Sequence, residues 1–463
     1  MATSTASVSG EAFVRFNASS RTTLIFRAFS FEDKADHSYP ELVSTEADFW
    51  TDHDSDWNIS DVVVEDGKDV ISVAEGASLQ LTADGYPLVV AGLSLGGSYL
   101  THAIPPDGQT GSSWLPPVLV SPTSVSPGGE YSVSSGLVLG KPALVLGANY
   151  ITAENVAGTV WSGAWEFVSG TGLSFAYALV YEHDGQPVVC GGKQMLVYSR
   201  EPISQDWNLA SSFDTVPYHI RNNAAALING RPAMVFGDYT QNPDLLYTKV
   251  DVYFTIASDP IGGSWAEPTL IGSYAVDDGI VLQPVALAQV DGMPAVLLSY
   301  LKSDWISPIY DGGIPTSNMV GGFHGFYYCS ASDAEGQDWF QPRPALVEDW
   351  RLDGLHGVQG WTAPPRCLAD VDGRPAFVFL ELERGDRGYG HHVVYCEAKD
   401  NQGQDWQAPQ PAAQLNNISE RSVRGFVECA GQPAILLFHR GDSGSGTDYS
   451  PELPEARLRF ARR

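Results

Sequence analysis

Three arginines carry the chemistry most worth weighing in this chain. Arg366 and Arg424 each stand seven residues before the glycine of a Gly-x-Pro triplet, and Arg221 lies near the same register of an earlier one. A guanidinium binds a carboxylate through two parallel N–H donors, so arginines converging from separate strands would clasp an acidic ligand. Asp370 and Glu428 lie four residues after Arg366 and Arg424, on the same strand face. Ion pairing along each strand is the competing account.

A second group sits in the long stretches 300–324 and 345–365. The first holds Trp305, Tyr310, Asp311 and His324; the second holds Trp350, Arg351, His356 and Trp361. Flat rings stack on a sugar or a protein surface while nearby polar groups fix its orientation, so these eight are the expected ligand-binding residues. Trp305 also reads as a turn residue, since Asp304-Trp305-Ile-Ser-Pro308 imitates an Asp-Trp-x-x-Pro pattern found elsewhere in the chain. Arg384-Gly-Asp386 and Arg440-Gly-Asp442 occupy matching places in neighbouring repeats, and turn chemistry accounts for them. No phosphate-cradling glycine loop, zinc-type helix or nucleophile elbow occurs. Asp52-x-Asp54-x-Asp56 opens like a calcium loop, but Trp57 stands where the turn glycine belongs and Val63 where the closing Glu belongs. Neither metal nor cofactor is expected.

The elements that must position these residues are announced by the triplet itself. Gly-x-Pro followed by an apolar run begins at Gly85, Gly140, Gly185, Gly230, Gly292, Gly373 and Gly431, a spacing that suits the blades of a propeller. The sixth copy reads as four strands: Arg366 to Val371, a tight Asp372-Gly373 turn, a second strand opened by Pro375, a third from His392 to Cys396, and a fourth bearing Trp406 and Pro409. Before the fourth strand a turn recurs, Ser258-Asp259 to Trp265, Ser332-Asp333 to Trp339, and Lys399-Asp400 to Trp406, each with a proline three residues beyond the Trp. The Asp side chain can accept N–H bonds inside the turn while the Trp covers it, so Asp259, Trp265, Asp333, Trp339, Asp400 and Trp406 are expected to be structural. Gly111-Ser-Ser-Trp114 and Asp206-Trp207 are looser copies.

This pattern resembles the Asp-box, or BNR, repeat of sialidase-type β-propellers, with the Asp one place earlier than in the usual Ser-x-Asp-x-Gly-x-x-Trp. The resemblance covers the repeats from about residue 78 onward. It implies a propeller, and it implies that Arg221, Arg366 and Arg424 are the positions to compare with the three arginines that such enzymes bring onto a substrate carboxylate. No matching Tyr-Glu nucleophile pair or general acid can be picked out.

The expected fold is therefore all-β, a seven-bladed propeller of four-stranded blades. The last repeat lacks its Trp-bearing strand, and Asp56-Trp57 with the strand after it supplies one, so an N-terminal strand is expected to complete the last blade and close the ring. Residues 47–463 form the propeller; residues 1–46, with a hairpin-like alternation from Phe13 to Phe29, form an extension that could dock into a larger assembly. The long connections at 300–324, 345–365, 381–391 and 440–455 all fall on one end of the ring, opposite the short turns.

A formal charge of −29, with 26 basic against 55 acidic residues, argues against a nucleic-acid partner. No apolar stretch is long enough for a membrane span. The five cysteines are odd in number and scattered, which suits buried strand positions better than disulfides. The N-terminus has neither a basic start nor an apolar run, so a cytoplasmic protein, or one exported without a signal peptide, is expected. Three Asn-x-Ser sequons, at Asn17, Asn58 and Asn417, matter only in a glycosylating compartment. The functional expectation is a non-catalytic propeller that recognises a protein or glycan through the long-loop face of blades four to seven. A sialidase-like glycoside hydrolase and a structural subunit of a larger assembly are the alternatives.

Overall fold

The computed structural model describes residues 27–31, 42–46, 57–62, 76–92, 99–103, 114, 116–121, 133–146, 149–163, 165–166, 178–191, 196–200, 206–213, 218, 220–242, 245–275, 280–305, 310–311, 314–315, 319–351, 360–362, 366–385, 388–416, 423–440 and 456–463. The chain divides into two compact units, Met1–Ser55 and Asp56–Arg463. In the first, Arg27–Phe31 pairs antiparallel with Leu42–Glu46. The expected strand from Phe13 to Phe16, the Asp52-x-Asp54-x-Asp56 run, Asn17, Asn417, Gly111, Asp386 and Asp442 lie outside the described residues.

The second unit is an all-β propeller, with no helix among the described residues. Among the described residues six of its sheets have four strands, and the sixth in chain order has five. The sheets span 76–121, 133–166, 179–211, 220–275, 280–351, 360–416, and 423–462 together with Asn58–Val62. Each begins with an inner strand: Gly76–Leu81, Val133–Val138, Leu179–His183, Ile220–Ile228, Ile280–Val290, Leu368–Val371 and Val423–Cys429. Each inner strand lies against the next, and Val423–Cys429 lies against Gly76–Leu81.

The Gly-x-Pro triplets account for the first hairpin of each sheet. Asp372 (φ 53°) and Gly373 (φ 74°) both take the left-handed backbone that a two-residue hairpin turn demands, and Pro375 sits just inside the second strand. The apolar run that follows is buried on both faces, because sheets stack face to face around the ring: Ala376, Phe377, Val378, Phe379 and Leu380 are all at most 1% exposed. Phe326 of the fifth sheet meets Phe377 and Phe379 of the sixth at 5.2 and 5.3 Å between centroids. Each buried ring of this kind stabilises the stack by about 2–3 kcal/mol.

Neighbouring sheets are also fastened polar group to polar group at the short-turn end. The N–H of the residue before the turn glycine donates to a side chain three residues before the next sheet's turn glycine: Leu139 to Glu182, Asn229 to Gln289, Asp291 to Asp370 and Asp372 to Glu428, at 3.3, 2.7, 2.8 and 3.0 Å. Asp370 and Glu428 thus bind the preceding turn, a role beyond the pairing expected with the arginines on their own strands.

Candidate functional site

One end of the propeller projects. In the first sheet the second and third strands, Pro87–Gly92 and Tyr99–Ala103, have 6 and 5 residues. In the fourth they are Arg231–Asn242 and Leu245–Ile256, with 12 residues each; in the fifth Met293–Trp305 and Met319–Ser330, with 13 and 12; in the sixth Arg374–Gly385 and Gly388–Glu397, with 12 and 10. At roughly 3.3 Å per residue the longer ladders run about 40 Å, so much of what reads as loop in 300–324 and 381–391 is strand. The fourth sheet's projection has no counterpart among the expected long connections, although Val250, Val252 and Phe254 alternate with polar residues in the sequence as strand residues do.

The predicted ligand residues fall on or beside these ladders. Trp305 closes its strand opposite Met319, and Tyr310 and Asp311 form a short ladder with Pro315 and Ile314. His324 lies between Leu301 and Glu348; Trp350 and Arg351 lie opposite Gly322 and Gly321. Trp361 is not in a loop: Gly360–Thr362 pairs with the inner edge of Arg374–Gly385, setting Trp361 opposite Glu381, with His392 next in the row. His356 lies outside the described residues. Second strands end, fourth strands end and inner strands begin at the same end of an antiparallel sheet, so Trp305, Trp350, Arg351 and Trp361 share that end.

The three arginines sit on or beside inner edges. Arg221 and Arg424 each fall where an inner strand skips a register, between Ile220 and Asn223 and between Val423 and Gly425. Arg366 interrupts the sixth sheet's inner edge between Gly360–Thr362 and Leu368–Val371, in the left-handed region at φ 56°. Its Nη2 donates to the Ala178 carbonyl at 2.5 Å. Ala178 directly precedes the third sheet's inner strand and, like Arg366, stands seven residues before a turn glycine. The guanidinium therefore ties the sixth inner edge to the third.

At the other end the aspartate turns are held from within. Asp400 accepts from the N–H groups of Gln402, Gln404 and Asp405 at 2.9, 3.1 and 2.9 Å, and Trp406 donates its indole N–H to the Gly403 carbonyl at 3.0 Å. Asp333 and Trp339 repeat the arrangement, and Asp259 accepts from Gly263 at 2.9 Å. Burial pushes the Asp333 and Asp400 carboxyls up, but backbone donors outweigh it and hold both below the usual range. Gly403 at φ 64° leaves no room for a side chain, since a Cβ would stand 2.5 Å from the Tyr328 ring. A further copy that sequence reasoning missed lies in the second sheet. Ala153 bridges Trp161, Asn155 accepts from Thr159 at 2.9 Å in place of an aspartate, and Trp161 donates to Gly158 at 2.8 Å.

All five cysteines are free and buried; burial pushes the Cys367 and Cys396 thiols up to about 12. Among the described residues no group of three His, Cys, Asp or Glu side chains could hold a metal ion.

No family model matches the chain, and no curated protein does. Among solved structures it is similar to the polysaccharide lyase Uly1, with a TM-score of 0.49 at 10% identity, over 87% of this chain and 93% of that one. It is also similar to the α-L-arabinofuranosidase Arb93A from Fusarium graminearum, at 0.38 and 10% over 86% and 97%. A third is the NanB sialidase from Streptococcus pneumoniae, at 0.36 and 10% over 87% and 70%. At these scores no activity passes from them to this chain.

Proposed function

We propose that the protein is a carbohydrate-active β-propeller that takes a saccharide over its projecting end. The observation that carries this reading is the placing of Trp305, His324, Trp350, Arg351 and Trp361 on the fifth and sixth sheets, whose second and third strands are, among the described residues, longer than those of the first three. Rings on a rigid ladder give a sugar its stacking surface, and the neighbouring Arg, His and Asp groups give it hydrogen bonds. Tyr310 and Asp311 belong to the same proposed surface; His356, outside the described residues, is kept as a proposed ligand residue.

Cleavage, rather than binding alone, is favoured by one feature of the fourth projection. Asp238 and Asp251 lie directly opposite each other across the ladder, level with Ile220 and next to Arg221. Cβ atoms so placed stand about 5 Å apart, near enough for the two carboxyl groups to serve together as nucleophile and acid/base on a glycosidic bond. Asp251 is 8% exposed and pairs as a carboxylate with Lys249 at 2.9 Å. Incubation with a panel of neutral and acidic oligosaccharides, with products read by mass spectrometry, tests both forms. Turnover abolished in Asp251→Asn supports hydrolysis; binding without turnover leaves recognition alone; neither contradicts the proposal.

The ring is read as seven blades, closed by Asn58–Val62 as the outer strand of the last. Three observations support this: the pairing of Asn58–Val62 with Ala456–Arg462, the packing of Trp57 against the sixth sheet, and the return of the last inner strand to the first. Residues 1–46 are kept as a docking extension; light scattering on the full chain and on a deletion of 1–46 rejects that role if both run as the same monomer.

A further inference from the structure

The propeller's own repetition points to a ligand at the end opposite the proposed saccharide surface. Tyr328 and Tyr395 occupy the same place in the fifth and sixth sheets, three residues before the alanine that bridges the turn Trp. Each packs edge-on against the indole of the next sheet, Tyr328 on Trp406 at 5.5 Å and Tyr395 on Trp57 at 5.4 Å. What differs is the partner of the hydroxyl. Tyr395 Oη–H donates to Glu397 Oε2 at 2.9 Å, and that buried carboxylate is neutralised by Arg374 at 2.6 Å and Arg463 at 3.5 Å. In the fifth sheet Ser330 stands where Glu397 stands in the sixth, and Ser330 lines a small cleft.

That cleft is lined by Tyr328, Ser330, Phe340, Arg343, Gln402 and Gln404 among others. At about 40 Å³ it is far below the several hundred that a sugar ring with its neighbours fills, and it suits one carboxylate group. Tyr328 is 2% exposed; among the described residues no acceptor meets its hydroxyl in hydrogen-bonding geometry, and Ser330 is the side chain near enough to interact with it. A buried donor without an acceptor is costly, and a native structure that carries one commonly satisfies it from outside. Arg343 is the cross-strand neighbour of Tyr328, so both side chains lie on one face, and among the described residues Arg343 makes no ion pair. A hydroxyl donor and an exposed guanidinium that line one small cleft are two groups able to hold a carboxylate.

We propose that the cleft between the fifth and sixth sheets binds a carboxylate, held by the Tyr328 hydroxyl and the Arg343 guanidinium in the place that Glu397 fills one sheet further on. The ligand is either a small free acid or the acidic side chain of a partner protein; the chemistry is the same.

The test is a titration of the full chain with sodium acetate against sodium chloride at equal ionic strength, reading the melting temperature. The expected result is a saturable, acetate-specific rise. Affinity falls about tenfold in Arg343→Gln and in Tyr328→Phe, each of which removes one charge-assisted bond. The response vanishes in Ser330→Glu, which supplies the carboxylate internally. Acetate acting no differently from chloride, or equally on the wild type and Arg343→Gln, overturns the proposal. Should Ser330→Glu not fold, Arg343→Gln still separates these outcomes. A blocked Ala-Glu-Ala peptide distinguishes the sources: binding at least as tight as acetate assigns the site to a partner's side chain, and a response to acetate alone assigns it to a free acid.

Discussion

Trp57 meets Tyr395 edge to face, with ring centroids 5.4 Å apart and planes at 71°. The same kind of contact, a sheet's Trp on the third strand of the sheet before it, recurs at four other junctions: Trp207 on Tyr150 at 5.0 Å, Trp339 on Phe254 at 5.1 Å, Trp406 on Tyr328 at 5.5 Å, and Trp114 on Phe460 at 5.4 Å. Trp57 comes from the beginning of the chain, yet it fills a position that the other sheets fill from within their own repeat. If it closes the ring as proposed, Trp57→Ala lowers stability by about 3–5 kcal/mol, the cost of emptying a buried aromatic site. Urea unfolding reads this as a shifted midpoint, and an unshifted midpoint contradicts the closure.

Glu397 binds the sixth sheet to the end of the chain. It is 4% exposed and touches Arg374, Arg463 and Tyr395. Removing one partner of a buried ionic cluster strands the others, so Glu397→Ala is expected to cost about 3–5 kcal/mol. Arg463→Ala should cost less, because Arg374 still neutralises the carboxylate. Equal losses in the two variants would show that Arg463 alone carries the attachment.

Acid stability depends in part on Asp333 and Asp400. Their carboxyls are held below the usual value in the folded chain, so their stabilisation is fully present above about pH 4. It is lost as pH falls from there through the folded values. Asn155 performs the same turn without a charge. Asp333→Asn with Asp400→Asn should therefore be less stable than the wild type at pH 7, and the gap should be narrower at pH 3. Parallel curves at both pH values would remove the carboxylates from the account.

Arg366 sets strained backbone against a side-chain strut. A non-glycine residue at φ 56° costs about 1–2 kcal/mol. Both Arg366→Ala and Arg366→Gly lose the bond to Ala178, but only glycine relieves the backbone. Arg366→Gly should be the more stable of the two by about 1 kcal/mol, measured by urea unfolding. Equal stabilities would mean that the left-handed turn relaxes once the guanidinium is gone.

The hairpins are legible in the sequence because Gly-x-Pro reports a local demand: Asp372 and Gly373 must both turn left-handed, and only a few residue types do so cheaply. The turn at Asn155 escapes the pattern because Asn replaces Asp and no proline follows Trp161 by three residues, as it does elsewhere. The fourth projection is hidden because Asn242 and Leu245 pair across a two-residue tip, leaving no gap in the pattern for a long loop. Asp370 and Glu428 suggest partners among the arginines of their own strands, since a sequence shows neighbours along the strand and not those across a sheet stack. Arg366's reach to Ala178, 188 residues away, has no local signature at all.

The most direct test of the saccharide surface is calorimetric titration of the wild type and Trp361→Ala with the oligosaccharide that responds best in the panel. The account predicts saturable binding to the wild type and a loss of about tenfold or more in the variant, the worth of one stacked ring. Equal affinity in the two proteins, or no saccharide bound by either, would contradict it.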